Sequence, residues 1–325
     1  MLDEIGALPP EISVVLPVSP DEAFALLTEP ERLRRWKTVS ARVDLRAGGT
    51  YRWTIVPGHA VRGTYLEVET GRRLVFGWGW EGSRDLGPDA STVTVTFEPT
   101  DGGTLVRLVH TGLSIEQAAS HLAGWQHFFD RLAIAAVDGD AGADEWAAVP
   151  DPMTDLACAE AAFAVCLRAL RRATTATAGD ATEAAELTAH LAASLRRLGL
   201  AAEFEAADPG DQVGSEQRIA AVGQPALEAW ATRDPSETVM FAGGAALGSL
   251  VLAWTAIELL VHAADVAVLV GGREPVSEQL ASHLRDRADE LRAARDSHGE
   301  SLVDRLLTGP DKDVLRRLDS SVSPS

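Results

Sequence analysis

Cysteine is nearly absent from this sequence: Cys158 and Cys166 are the only two in 325 residues. They stand eight positions apart in a predicted helix, about 12 Å along its axis, which is too far for a disulfide bond. Two buried thiols and a cytoplasmic location are therefore expected, since disulfides persist mainly in oxidising compartments. The first ten residues, MLDEIGALPP, hold neither a basic segment nor an apolar run, so no signal peptide is expected.

Positive charge is also scarce. Lys and Arg together number 29 against 48 Asp and Glu, which gives a net charge of −19 and a pI near 4.8. A field of this sign repels phosphate backbones and disfavours anionic lipid surfaces, so neither nucleic acid nor a membrane is an expected partner. The 19 residues Val239–Ile257 lack an ionisable side chain, but they include several glycines and continue directly into Glu258 and His262. We therefore predict a central bundle helix there and not a membrane span.

Several common catalytic motifs are missing. No glycine-rich loop precedes a predicted helix, which argues against a phosphate-binding loop, and no G-x-S-x-G segment marks a nucleophile elbow. The first half of the chain has no cysteine, and neither cysteine lies near His190 or His262 in sequence. A cysteine nucleophile therefore has no support.

The patterns that are present divide the chain into two parts. With 325 residues, 46% of them apolar, it is long enough for two domains with separate cores. Over residues 1–137, a strand at 11–18 and short helices precede several segments in which apolar and polar residues alternate. A long amphipathic helix follows, and Ser114 with Gln117 forms a capping-box pattern at its start. This order predicts an α+β helix-grip fold, in which the last helix lies across a curved antiparallel sheet of six or seven strands.

The predicted N-terminal domain is rich in large aromatic residues. We expect its cavity between helix and sheet to be lined by Trp53, Trp78, Trp125, Phe129 and His110. Aromatic side chains make flat walls for apolar ligands, although ordinary core packing gives the same pattern. His110 shares a strand face with other apolar residues, so it is either a polar group of the pocket or a histidine satisfied at the sheet edge.

Four segments of this half carry a family resemblance. They read VDLRAGGTYRW, VRGTYLEVETGRRLVFGWGWEG, STVTVTFEPTDGGTLVRLVHTGL and HLAGWQHFFDRL. Together they resemble the SRPBCC, or START-like, superfamily over about residues 10–137, and in particular the branch named for the activator of the heat-shock-protein ATPase. The resemblance implies a pocket for a small hydrophobic molecule. Since members include ligand carriers, cyclases, hydrolases and chaperone cofactors, it leaves the activity open, and a chaperone partner or a second copy of the chain stays open too.

Residues 138–152 are acidic, small and proline-containing, which predicts a linker, and residues 153–325 read as an all-α bundle of Ala-rich helices. Glu258 and His262 are four apart and so share one helix face, where a carboxylate and an imidazole can bind one divalent metal ion. Glu186 and His190 repeat this spacing on an earlier helix, and Glu186 is expected to support the site from behind the ligands. Asp265 follows three residues after His262, where it either orients a ligand or is solvated. Spacing alone is weak evidence for a metal site and favours a core histidine satisfied by a glutamate on its own helix.

The segment GGAALGSLVLAWTAIELLVHAADVAVLVGG, with the closing SLVDRLLTGP, resembles the mycothiol-dependent maleylpyruvate isomerase group of DinB-like four-helix bundles. That resemblance implies that Glu258, His262 and His190 bind a divalent metal ion, with zinc expected, and that a low-molecular-weight thiol is a possible cosubstrate. The chain departs from the group at TATAGDATEAAE, residues 175–186, where the group has a Pro-Cys-x-x-Trp loop. The metal site is therefore expected to be kept and the thiol chemistry to be lost.

Two hypotheses follow for the whole chain. In the first, it is an enzyme whose bundle metal, held by three ligands, leaves a position open for a thiolate or a water, while the N-terminal domain presents an apolar substrate. In the second, it is a binding, chaperone-cofactor or stress-response accessory protein with a structural bundle. Convergence of the three proposed ligands favours the first hypothesis, and a His190 side chain that points away from His262 favours the second.

Overall fold

The computed structural model describes residues 9–173, 178–295, 299 and 301–321. Its Cα trace divides into two compact units between Asp144 and Glu145, inside the segment for which a linker is predicted. Most of the N-terminal decapeptide considered above, residues 1–8, lies outside the described residues.

The N-terminal unit is built on one antiparallel sheet of seven strands in the order β1-β7-β6-β5-β4-β3-β2. The strands are β1 (Glu11–Leu16), β2 (Ser40–Val43), β3 (Thr50–Val56), β4 (His59–Glu69), β5 (Arg73–Trp78), β6 (Ser91–Thr100) and β7 (Gly103–Thr111). Three helices complete it: α1 (Pro20–Thr28), α2 (Pro30–Leu33) and α3 (Ile115–Asp138). This combination of a single antiparallel sheet with a long final helix is the predicted α+β arrangement.

Helix α3 has a capping residue suited to its position at each end. Ser114 Oγ accepts a hydrogen bond from Gln117 N at 3.2 Å, and Gln117 Oε1 accepts one from Ser114 N at 2.9 Å, so the capping box is complete. Gly139 ends the helix in the left-handed region at φ 80°, where a side chain would be strained. Between these caps, the buried stripe of α3 includes Trp125 and Phe129, which join the core formed with the sheet.

Replacing Ser114 with Ala is expected to lower the free energy of unfolding of the N-terminal unit by about 1 kcal/mol, because one orphan backbone donor of α3 loses its acceptor. Urea denaturation measures the change. Ser120→Ala is the matched control, since Ser120 is exposed within the same helix and caps nothing. Equal effects of the two substitutions would contradict a role for the cap.

The C-terminal unit is mainly helical. Its helices are α4 (Asp155–Ala173), α5 (Ala178–Ala201), α6 (Ser215–Trp230), α7 (Gly248–Leu269), α8 (Glu278–Ala293), α9 (Leu302–Leu306) and α10 (Val314–Ser321). Helix α7 is central and packs against α4, α5, α8 and α10. By length and composition alone it could cross a membrane, but 83% of its most apolar window is buried inside the unit. Its apolar surface on all sides is therefore that of a core helix.

Two details of this unit differ from the prediction. No strand was expected beyond the linker, yet β8 (Thr238–Phe241) and β9 (Gly244–Leu247) form an antiparallel hairpin ahead of α7. Ala242 and Gly243 connect them with φ of 50° and 80°, so this glycine-rich stretch supplies a two-residue turn and not the first turn of the helix. The sequence pattern also predicts one final short helix near residues 301–318, and the structure instead divides this segment between α9 and α10, with a short 3₁₀ turn, Gly309–Asp311, between them.

Candidate functional site

A buried cluster of two imidazoles and two carboxylates lies in the C-terminal unit. It consists of His190, Glu258, His262 and Asp311, whose ligand atoms all lie within 4.8 Å of one another. Helix α5 contributes His190, α7 contributes the predicted Glu258–His262 pair from one face, and the 3₁₀ turn contributes Asp311. His190 points toward His262, with ring centroids 5.0 Å apart, so the structure brings together the three residues that the sequence singled out.

The shortest contacts within the cluster involve one oxygen of Asp311. Asp311 Oδ1 lies 2.9 Å from His190 Nε2 and 3.0 Å from His262 Nε2. His190 Nε2 also lies 3.2 Å from Glu258 Oε1. Glu258, His262 and Asp311 are each no more than 2% exposed, so the cluster is withdrawn from bulk water. Two carboxylates at such a depth require protons or a cation to neutralise them.

The electrostatics of the cluster reflect this requirement. The hydrogen bond to Asp311, with a further contribution from Glu258, raises the pKa of His190 to about 9. Burial alone would lower the pKa of His262, but the hydrogen bonds to Asp265 and Asp311 outweigh it, and the pKa is raised. Burial alone would raise the pKa of Asp311, but the two histidines hold it below its ordinary value. Without another cation, the histidines therefore carry the positive charge.

A second layer of polar groups holds the cluster in position. Asp265 Oδ2 lies 3.0 Å from His262 Nδ1, which leaves Nε2 to face the centre, and Asp265 is paired in turn with Arg317. A carboxylate in this position fixes the orientation of the ring. Ser194 donates a hydrogen bond to Glu258.

Glu186, also predicted to support the cluster, is exposed on α5. In the part of the chain that the structure describes, it makes no hydrogen bond or ion pair with the cluster. Because an α-helix has 3.6 residues per turn, Glu186 does not lie directly above His190. It is rotated around the helix axis, and here the rotation places it on the solvent side of α5.

A cavity of about 440 Å³ opens beside the cluster. Its lining residues are Glu183, Leu187, His262, Asp265, Val268, Leu269, Pro310 and Arg317. The wall is mixed, since apolar side chains alternate with two acids and an arginine. Because His262 belongs to both the cluster and the cavity wall, a small molecule in the cavity would lie next to at least one of the four donors.

The donor set fits a divalent ion of the zinc type. Zinc is commonly bound by imidazole nitrogens and carboxylate oxygens at about 2.0–2.2 Å, which places tetrahedral ligands about 3.3–3.6 Å apart. The three closest donor separations here, 2.9–3.2 Å, need only a slight expansion to reach that spacing. Of the departure at 175–186, residues 175–177 lie outside the described residues, while 178–186 belong to α5.

The aromatic residues of the N-terminal unit form a second cluster. The ring of Trp78 lies 6.3 Å from Trp53 and 5.1 Å from Trp125, and Trp125 lies 6.5 Å from Phe129. All four are less than 5% exposed. The sheet supplies Trp53 and Trp78, and α3 supplies the other two, so these predicted wall residues meet where the helix lies over the sheet.

His110 lies inside this cluster and is fully buried. Trp125 Nε1 donates to His110 Nδ1 at 3.2 Å, so the neutral ring carries its proton on Nε2, which faces Ser91 Oγ at 2.8 Å. Burial, with smaller contributions from His121 and Lys37, lowers the pKa of His110 to about 3. His110 is thus a satisfied histidine, but it occupies the interior of the unit and not the sheet edge.

Sequence reasoning missed three residues at these clusters. Asp311 directly follows the closing segment quoted above, and its place after Gly309-Pro310 is a turn signal that could have marked it. Lys37, in the turn after α2, projects among the tryptophans, and its only sequence signal is rarity, since the chain has two lysines. His121 lies 5.0 Å from His110 between ring centroids.

Comparisons with known proteins agree with part of this description. A comparison with curated proteins finds no match to the chain. Among solved structures, it is similar to DynU16, a protein in the dynemicin biosynthetic locus, at 25% identity over 40% of this chain and 48% of that one, with a TM-score of 0.37. The chain described here thus spans about half the length of DynU16.

Two smaller proteins are matched over nearly their whole length. MLL2253 from Mesorhizobium loti is 22% identical over 40% of this chain and 96% of that one, with a TM-score of 0.36. An AHSA1-like protein from Aeromonas hydrophila is 22% identical over 40% and 91%, with a TM-score of 0.33.

A family profile covers the N-terminal unit. Residues 17–136 match the family described as activator of Hsp90 ATPase homolog 1-like protein. The matched range begins at the residue after β1 and ends in the last turn of α3, so it includes six of the seven strands and the long final helix. The N-terminal unit is therefore an AHSA1-like domain of the SRPBCC type, with a fold that can bind small hydrophobic ligands.

Proposed function

We propose that the C-terminal unit is a divalent-metal centre of the DinB-like type, in which His190, Glu258, His262 and Asp311 bind one ion, with zinc expected. The observation that carries the proposal is the convergence of four donors from α5, α7 and the 3₁₀ turn within 4.8 Å, three of them on buried residues and the fourth on the half-buried His190. Donors this far apart in sequence meet only if the fold holds them there, whereas a helix-mate glutamate would satisfy a lone histidine without the other two.

We further propose that the centre supports metal-assisted chemistry on a small molecule in the adjoining cavity. A bound divalent ion polarises a carbonyl or lowers the pKa of a water. The chain's own residues would do the rest: Asp265 holds the His262 ring, Arg317 places a positive charge on the cavity wall, and the apolar wall residues exclude water. The N-terminal unit would bind or deliver an apolar molecule, while thiol-dependent isomerase or transferase chemistry is less favoured because the Pro-Cys-x-x-Trp loop is missing.

A second function, that of a non-catalytic binding or accessory protein, is favoured by one observation. Four protein donors complete a tetrahedral shell, and closed shells are typical of structural zinc. In that case the ion would only stabilise the helical unit, and ligand capture by the AHSA1-like domain would be the activity. None of the described contacts bears on a chaperone partner or on a second copy of the chain.

Metal analysis of the purified full chain by mass spectrometry tests the centre. About one equivalent of zinc or a similar divalent metal is expected in the wild type, and His190→Ala and His262→Ala are each expected to lose it, since each removes a donor. His283→Ala is the matched control, because His283 lies in the same unit but pairs with Asp155, outside the cluster. A wild type that holds no metal after reconstitution would rule out the centre.

Cobalt substitution then separates the two functions. Cobalt(II) in a tetrahedral site has visible absorption that changes when a ligand is exchanged. If small thiols or carboxylates enter from the cavity, the spectrum should change with saturation, as the enzyme hypothesis requires. A spectrum that ignores every added ligand would identify a closed, structural site.

A further inference from the structure

Lys37 is the most unusual charged residue of the AHSA1-like domain. It is 5% exposed, and its Nζ atom lies 4.0 Å from the ring centroid of Trp125, 4.7 Å from Trp53 and 4.8 Å from Trp78. Within the described part of the chain, no carboxylate or carbonyl group pairs with this amine. A buried lysine almost always has an acidic partner, so one without such a partner needs another explanation.

The backbone around Lys37 is fixed from both sides. Trp36 Nε1 donates to Leu26 O at 2.9 Å, and Arg131 of α3 donates through Nε to Trp36 O at 3.0 Å. The lysine stem therefore leaves a turn that is tied to both α1 and α3. An amine held in this way is positioned before any ligand arrives.

The same rings carry polar groups that lack partners. Across the residues described for this unit, no hydrogen-bond acceptor reaches the indole nitrogens of Trp53 and Trp78, and both side chains are more than nine-tenths buried. His121 Nε2 is a third atom without a partner, but it is the acceptor of its neutral ring, because Nδ1 donates to Gln117 O at 2.8 Å. Buried polar atoms without partners are rare in proteins, and a group that meets the two indole N–H groups must bring an oxygen acceptor on an apolar body.

Two opposing effects decide the charge of the amine. The faces of the tryptophan rings attract an ammonium ion, but removing that ion from water without a counter-ion costs more. The nearby histidines supply no negative charge, and burial lowers the pKa of both His110 and His121. Burial likewise lowers the pKa of Lys37 well below its ordinary value. The neutral amine is the form with a lone pair that can attack carbon.

We propose that Lys37 forms a Schiff base with an aldehyde or ketone that has an aromatic or apolar body. The inference rests on the ligand-binding function of the N-terminal unit and names the class of that ligand. Tryptophan faces fit the apolar body, the free indole N–H groups fit the carbonyl oxygen, and the amine fits the carbonyl carbon. Trp80 and His121 are the part-buried members of this cluster, and they mark the side nearest to solvent.

The covalent step is balanced without an oxidant or reductant. The Nζ lone pair forms a bond to the carbonyl carbon, and the electron pair of the C=O π bond moves to oxygen. A proton passes from nitrogen to that oxygen to give the carbinolamine. Loss of the hydroxyl group with the second amine proton releases one water and leaves the C=N bond. The reverse reaction with water regenerates the lysine and the carbonyl compound.

Reductive trapping on the full chain tests the proposal. The protein is incubated at pH 7 with benzaldehyde and cyanoborohydride, which reduces an imine to a stable benzylamine, and the adduct is mapped by peptide mass spectrometry. Lys312 is an internal control, because it is the other lysine of the chain and is exposed. Lys37 is expected to react at least about tenfold faster than Lys312, since an ordinary lysine is almost fully protonated at this pH.

Benzyl alcohol separates failure of the lysine from failure of ligand binding by the N-terminal unit. It has the same body but no carbonyl, and its binding is followed through the indole N–H signals of Trp53 and Trp78 in ¹H–¹⁵N NMR spectra. Shifts of the indole signals with the alcohol, but no adduct at Lys37, would overturn the Schiff base and still support ligand binding by the N-terminal unit. No shifts together with labelling only at Lys312 or the N-terminal amine would overturn both. The mapping needs no variant, so it does not depend on whether a Lys37 substitution folds.

Discussion

Replacing Asp311 with Ala is expected to weaken metal binding by at least about 100-fold, more than the usual cost of altering a group that only orients a ligand. Asp311 Oδ1 lies within 3.0 Å of both His190 and His262, so its loss opens one side of the cluster. Competition with a chromophoric chelator measures the affinity. The same substitution should also lower the stability of the metal-free protein, because the buried imidazole of His262 and the half-buried imidazole of His190 lose their shared acceptor.

Asp313→Ala is the control for this prediction. Asp313 lies two residues further along the same segment, and its side chain is about one-third exposed and paired with Arg316. Asp313→Ala removes the same charge from this segment as Asp311→Ala does, but it removes none of the four donors of the cluster. If both variants bind metal with the affinity of the wild type, Asp311 is not a ligand, and the centre would have to be rebuilt from three residues.

The second large effect concerns the pH dependence of stability. Lys37→Met is expected to flatten the rise in stability of the AHSA1-like domain between about pH 8 and pH 10. The folded domain holds Lys37 with a lowered pKa, whereas the unfolded chain protonates it up to about pH 10.4. Between these two pKa values the unfolded state binds more protons, so the free energy of unfolding rises with pH by up to about 1.4 kcal/mol per unit. The stabilising effect is complete above the pKa of the unfolded chain and declines as the pH falls.

Urea denaturation at a series of pH values measures this slope. The wild type should gain stability relative to Lys37→Met at each step toward pH 10, and Lys37→Met should be the more stable protein at pH 7. Lys312→Met, which removes the exposed lysine, should run parallel to the wild type. Parallel curves for all three proteins would mean that Lys37 keeps its charge in the fold.

Particular residues show how far the sequence could predict this structure. Alternating apolar residues and the cap at Ser114 were sufficient for the sheet and α3, because their period and end chemistry are local. The spacing of Glu258 and His262 placed both on one helix face for the same reason. Asp311 and Lys37 could not be found in this way, since each meets its cluster through a turn far away in sequence.

The hairpin before α7 shows the opposite failure. Its strands are four residues each and rich in small side chains, so period two has too few positions to outweigh the helical run that follows. The Gly243-Gly244 dipeptide is a turn signal, but hydropathy gives no backbone angles, and only the positive φ angles at Ala242 and Gly243 identify the two-residue hairpin turn. The prediction for Glu186 was not met for a related reason. Helical spacing shows which residues share a face, but the width of the face that the neighbouring elements cover depends on those elements.

The cluster takes three donors from the long helices α5 and α7 and one from a short 3₁₀ turn. This difference has a kinetic consequence. Glu258 and His262 belong to the helix at the centre of the unit, which opens only when most of the unit unfolds. Asp311 belongs to a 3₁₀ turn between two short helices, where opening requires few contacts to break. An ion at the cluster would therefore keep its donors on α5 and α7 when Asp311 separates from it, and its residence time would depend on how often the segment from α9 to α10 opens.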